Sequence, residues 1–278
     1  MNTQTYELQN TTVSKPLERK TKSKKSKVKL LDRILSYTLI PILILILWET
    51  VTKLNIAPPA ILPSLEIVLK AFVVQIQNGE MIQDVAISLT RVVRGYTFAV
   101  ILGLSFGVLM GISLRANKIF SGVFNGIRQI PPMAWIPLII LWFGIGETSK
   151  IIIISKAAFF PILLNTIDGI RNTPKGYIEV ARLYNINKFD LFRKIYFPSA
   201  LPSIFVGLRL GLGIAWAMVV AAELIASSSG IGYRINDARS LMQSDVMIAD
   251  MIVIGIIGSI MDFILRKVSR YFSKWQAT

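Results

Sequence analysis

Apolar residues along this chain gather in long runs, separated by stretches rich in charge, glycine or proline. The first run, residues 34–51, contains Leu-Ile-Pro-Ile-Leu-Ile-Leu-Ile-Leu and is long enough to cross about 30 Å of hydrocarbon as a helix. Pro41 is a point where it can kink, and Trp48 suits an interfacial belt at its far end. A mixed external segment follows, with Pro58, Pro59 and Pro63 ahead of an amphipathic stretch. Further apolar runs cover residues 92–114, 151–170, 203–225 and 247–265, and another, between Arg128 and Glu147, is interrupted by Pro131, Pro132 and Pro137. The pattern predicts an all-α, polytopic membrane protein with six transmembrane helices. It divides the chain into a basic tail (1–33), a first transmembrane helix with its external segment (34–90), and a core (88–270) containing a polar loop at 173–198.

Within the runs, small residues recur at helical spacing. Gly103, Gly107 and Gly111 are four apart and share one helix face, as do Gly207 and Gly211, so backbones can approach closely there. Helix packing or dimer contact is their expected use. Gly103–Gly107 also matches the G-x-S-x-G nucleophile pattern, but inside a membrane helix of a chain without histidine the match carries no chemistry. Irregular backbone at membrane depth is tolerated only against protein or a water-filled path. The proline break therefore makes Pro131, Pro132 and Trp135 candidates for a translocation pathway, the alternative being a kinked helix entry near the headgroups. Arg209 and Glu223 are ionisable groups within a span, and either face that pathway or snorkel to the span ends.

Composition narrows the function. The chain is 53% hydrophobic, carries a formal net charge of +15, and has neither Cys nor His. Disulfides, thiolate or imidazole metal sites and Ser/His or Cys/His catalysis are excluded, and the carboxylates do not cluster as metal ligands. The positive charge is a topology signal. With the N-terminus inside, cytoplasmic segments hold 21 Lys and Arg against seven in external ones, which places both termini and the 173–198 loop in the cytoplasm. The tail, with Lys22, Lys24, Lys25, Lys27 and Lys29, is expected to be disordered and to meet anionic lipid headgroups. No aromatics are interleaved with its lysines, which argues against nucleic acid. No cleavage-site pattern follows the first run, so an uncleaved anchor is expected.

The 173–198 loop is the most informative stretch. Thr173 and Pro174 suit the start of a helix, Asn185 its left-handed end, and Asn187 with Asp190 the start of a second helix that Pro198 closes. Glu179-Val180-Ala181, then Asn185, then Ile195-Tyr196-Phe197-Pro198 resemble the EAA loop of permease subunits of ABC-type importers. In that pattern Glu-Ala-Ala is followed after three residues by Gly, and after nine more by Ile-x-Leu-Pro. Asn185 stands at the Gly position, a mild departure because Asn tolerates positive φ. The resemblance implies that Glu179, Ala181, Arg182, Asn185, Ile195 and Pro198 couple the chain to an ATP-hydrolysing subunit.

The resemblance extends from about Ser88 to Trp275. Ser88-Leu89 with Arg91 and Gly95, residues 130–138, Trp142-Phe143-Gly144-Ile145-Gly146-Glu147, Ala221-Ala222-Glu223-Leu224 and Gly230-Ile231-Gly232-Tyr233 are similar to nitrate, sulfonate and taurine importer permeases. This implies a type I (MetI-like) importer-permease fold in a bacterial inner membrane. It also implies a second permease copy, expected to be identical, two ATPase subunits and an extracytoplasmic solute-binding protein. The solute would be a small anion, an aliphatic sulfonate before nitrate or taurine. Some similar permeases serve a thiamine pyrimidine precursor. Gly-Lys occurs nowhere, so the chain has no Walker A loop, and ATP with Mg belongs on the partner. The competing class is an ion-gradient-driven secondary transporter, with Glu49, Asp168, Glu223 and Asp262 as available acids.

Overall fold

The computed structural model describes residues 22–272, with side chains from Thr38 onward, and all its regular elements are helical. Of the tail expected to be disordered, residues 1–21 lie outside the described residues. The chain divides into two compact units, Met1–Ile56 and Ala57–Thr278.

The first unit contains helix α1, Lys22–Lys53, which begins ahead of the apolar run and passes through Pro41. Leu39, Ile40 and Ile42 through Leu47 are each 46–64% exposed, so this helix is apolar all round. That is the surface expected of a helix solvated by lipid.

The second unit begins with helix α2, Leu65–Gln77, capped by the Ser64 hydroxyl. Helix α3, Glu80–Ile112, and helix α4, Leu114–Gln129, follow, then a 3-10 turn at Pro132–Trp135 and helix α5, Ile136–Phe143. Helix α6 spans Glu147–Arg171, α7 Lys175–Leu183 and α8 Lys188–Leu191. A π turn at Phe192–Tyr196 joins α8 to helix α9, Phe197–Ala226. Helices α10, Ile231–Ser240, and α11, Ser244–Phe272, complete it. Among the described residues four helical stretches are long and apolar enough to cross a membrane: α3, α6, the run Lys188–Ala226 and α11. Counting α4 with Pro132–Phe143, bent by 91° at the proline break, makes five. The sixth expected span is the apolar part of α1.

Helix α6 is the centre of the core. A Cβ on Gly95, Gly103, Gly107 or Gly111 of α3 would sit 2.6–2.9 Å from Ile154, Ile162, Thr166 or Ile170 of α6. The pairs advance together, so α3 and α6 run parallel. Gly207 and Gly211 of α9 meet α6 on another side, at Asn165 and Ile162, while Gly169 meets Ala200 and Ser203. That order is antiparallel. With Ala99 fully buried between Gly95 and Gly103, the small-residue stripe is longer than the three glycines that mark it in sequence. Phe124 of α4 holds that helix in place through edge contacts with Phe106 and Phe159, at 5.5 Å each.

Several boundaries differ from the sequence expectation. Helix α3 starts at Glu80 and not near residue 92, and in its early turns Asp84 accepts the Gly230 N–H and Ser88 donates to Glu223. The segment between the apolar runs 203–225 and 247–265 contains a further helix, α10. Thr173 does not cap α7; it closes the end of α6 by donating its N–H to the Ile170 carbonyl, and Pro174 occupies the cap. Pro198 does not end the second helix either. The π turn, in which the Phe197 N–H reaches back to the Phe192 carbonyl, widens the helix just before Pro198 and carries it on into α9.

Candidate functional site

The polar loop between α6 and α9 is a rigid helix–turn–helix. Asn185 has φ +51°, the left-handed geometry that its place in the pattern requires. Its N–H donates to the Arg182 carbonyl at 3.0 Å, and the Ile186 N–H to the Ala181 carbonyl at 3.1 Å. These two bonds make a Schellman turn, which satisfies the last carbonyls of α7 and fixes the angle to α8. Asn187 then caps α8, its side-chain oxygen accepting the Asp190 N–H at 2.8 Å. Ala181 is buried, while Glu179, Arg182 and Asn185 are exposed and Ile195 and Pro198 are half-buried. The sequence pattern did not single out the apolar residues beside them. Tyr177, Val180, Leu183, Tyr184 and Phe189 are 52–81% exposed, a cluster of large apolar groups on one projecting loop.

At the other end of the helices lies a buried ionic network. Arg91 of α3 donates from Nη1 to Glu223 Oε1 at 2.7 Å and to the Ser229 carbonyl at 2.8 Å. Its Nε and Nη2 donate to Glu147 at 2.8 and 2.6 Å. Glu223 also accepts from the Ser88 hydroxyl at 2.8 Å and the Gly232 N–H at 3.0 Å, and Ser88 accepts the Ile231 N–H at 3.0 Å. Gly230 takes φ +102°, and a Cβ on Gly232 would fall 2.7 Å from that of Glu223, so both turn glycines are needed for the approach. The residues gathered here come from four of the stretches that carry the family resemblance, and their shared work is to lock α3, α6, α9 and α10. Glu223, expected to face a pathway or snorkel, does neither within this chain: its carboxylate is sealed and fully hydrogen-bonded.

The remaining candidates are spread apart. Pro131 is exposed and Pro132 half-buried at the 91° bend. Trp135, just beyond, packs its ring under the Lys156 ammonium of α6, 4.5 Å from the ring centroid. Arg209 of α9 is half-exposed and pairs with Asp262 of α11, which also binds Arg266 at 3.0 Å. The sequence left Asp262 among possible ion-binding acids; here it is neutralised by two arginines. No group of three or more acidic, Cys or His residues suited to a metal occurs among the described residues.

Residues 95–275 match the family model described as binding-protein-dependent transport system inner membrane component. An ABC transporter permease protein of Methanocaldococcus jannaschii is 40% identical, over 85% of this chain and 90% of its own length. An aliphatic sulfonates transport permease protein of Bacillus subtilis is 37% identical, over 86% of each chain. In fold, the chain superposes on an inward-facing structure of the MetNI methionine ABC transporter with a TM-score of 0.63 at 20% identity, covering 70% of this chain and 97% of that one. By the extent of these matches, this chain belongs to the family of binding-protein-dependent transport system inner membrane components.

Proposed function

We propose that this chain is the membrane-spanning permease subunit of an ATP-driven importer. It works with a second copy of itself, two ATPase subunits and an external solute-binding protein, and performs no covalent step. The observation that carries this reading is the loop between α6 and α9. Its backbone is fixed by the Schellman turn, and it presents Tyr177, Val180, Leu183 and Tyr184 beside Glu179 and Arg182. An exposed apolar cluster ringed by charge is the surface of a docking element. The excess of Lys and Arg on this side supports a cytoplasmic orientation for the loop and both termini, where ATP is.

Closure of the two ATPase subunits on ATP pulls the paired loops and opens the pore outward. The solute then leaves its binding protein, and hydrolysis returns the pore to the inward state. ATP and its Mg bind the partner subunits. The solute is a small anion, an aliphatic sulfonate first, in keeping with the Bacillus subtilis relative, with taurine or nitrate next. Uptake measured with separate control of ATP and ion gradients tests the reading. It predicts that uptake stops on ATP depletion and continues under an uncoupler while ATP is supplied. Uptake that follows the gradient and ignores ATP contradicts it.

A further inference from the structure

Lys156 lies in the interior of α6, nine residues after Glu147. At 1.5 Å per residue that is about 14 Å along the helix, near mid-span and away from headgroup level. Three other basic groups on α6 and α9 have oxygen partners: Lys150 pairs with Glu147 at 3.2 Å, Arg209 with Asp262, and Arg171 donates to the Met110 carbonyl at 3.1 Å. Among the described residues Lys156 pairs with no carboxylate and is held only over the Trp135 ring. The Trp135 indole N–H is itself buried without an acceptor. A cation of α6 and an unmet donor of the proline-break turn therefore stand together at membrane depth, and among the described residues neither has a counter-group. A charge in a span without its partner marks a ligand site by default.

The surroundings define the ligand further. Lys156 opens into a groove of about 640 Å³ whose walls include Phe98, Leu102, Phe106 and Phe159, with Ser155 as a nearby hydroxyl. One cation among apolar walls suits an anionic head on an apolar body, and suits a bare inorganic anion less well.

We propose that the Lys156 ammonium is the anion-binding point of the translocation pathway, held by Trp135, and that the aromatic groove between α3 and α6 takes the alkyl part of the solute. This rests on the importer reading above for the direction of transport, but the binding site stands on its own geometry. A lipid phosphate offers the same anionic chemistry, and mid-span depth favours the solute over a headgroup.

The test is calorimetric titration of the full-length chain in zwitterionic nanodiscs with pentanesulfonate, sodium sulfate and pentanol. Saturable binding of pentanesulfonate is expected, with sulfate and pentanol at least about tenfold weaker. Lys156→Met should weaken pentanesulfonate about tenfold or more, the loss of one charge-assisted hydrogen bond, while Lys156→Arg stays within about threefold. Within the wild type, affinity should rise with alkyl length from methane- to hexanesulfonate, a readout independent of whether the variants fold. Absence of wild-type binding, equal affinity in folded Lys156→Met, or no chain-length dependence overturns the proposal. So does an anionic phospholipid seen by native mass spectrometry on the wild type, lost from Lys156→Met, and not displaced by pentanesulfonate. Recovery of an ATPase subunit with the same preparation reports on the importer reading separately.

Discussion

Arg91 of α3 and Glu223 of α9 form an ion pair at 2.7 Å with 3% and 0% of their side chains exposed, 132 positions apart in sequence. Glu147 at the start of α6 completes the bridge. Breaking one member of a buried pair leaves the other charge uncompensated, at a cost of about 3–5 kcal/mol. Arg91→Ala is therefore expected to lower the unfolding midpoint in detergent sharply, and Arg91→Met with Glu223→Met to recover part of the loss. A single variant as stable as wild type would show that the network does not hold the helices.

The glycine stripe makes a position-specific prediction. A Cβ at Gly107 would meet that of Thr166 at 2.6 Å, whereas at Gly126 of α4 it would meet nothing within 4 Å. Gly107→Ala should destabilise by about 1–3 kcal/mol through overpacking. Gly126→Ala should be neutral or stabilise by up to about 1 kcal/mol, since alanine favours the helix. Thermal unfolding of the two variants side by side decides it, and the reverse order would contradict the packing described.

Asn185 supports a third. At φ +51° glycine is relaxed and a β-branched residue is strained. Asn185→Gly should retain uptake and stability. Asn185→Val should cost about 1–2 kcal/mol locally, and Asn185→Pro, which also removes the N–H given to Arg182, should abolish uptake while membrane insertion persists. Glu179→Arg, which changes only an exposed charge, should insert normally and lose uptake. Assays of uptake alongside membrane content separate coupling from folding; full uptake in both Glu179→Arg and Asn185→Pro would remove the coupling role of the loop.

Much of this architecture was legible in the sequence because it depends on local pattern. Length and apolarity marked the spans, spacing of four marked the α3 stripe, and one Asn at a fixed offset marked the turn of the loop. What was not legible depends on partners remote in the chain. Helix α10 lies in a serine- and glycine-rich segment, and its first N–H groups bind Ser88 and Glu223, the former 143 positions away. Arg91 stood only as part of a family-like stretch and Glu223 as a pathway candidate, since nothing local reveals that the two pair. Arg209 was expected to face the pathway or snorkel; instead it pairs with Asp262 and ties α9 to α11. The exposed tyrosine and leucine residues of α7 were hidden for another reason: their apolar character reads as core until the buried face, carried by Ala181, is known.

The pairing of Arg209 yields a prediction of its own. Arg209→Gln and Asp262→Asn should each loosen α9 from α11, while the swap Arg209→Asp with Asp262→Arg should restore wild-type uptake. Unchanged affinity for solute in Arg209→Gln is expected, because the guanidinium is already engaged by Asp262. A selective loss of anion affinity in that variant would instead return Arg209 to the pathway.

The central claim is that the loop between α6 and α9 docks an ATPase subunit, and a pull-down of the tagged chain from its native membrane in gentle detergent tests it most directly. Wild type and the Leu183→Asp, Tyr184→Asp double variant are compared, with mass spectrometry of what is recovered. The account predicts a stoichiometric ATP-binding subunit with wild type and its loss from the variant, with the variant still inserted. Recovery of the wild-type chain alone, even after mild crosslinking, or equal recovery of the ATPase with both, would contradict it.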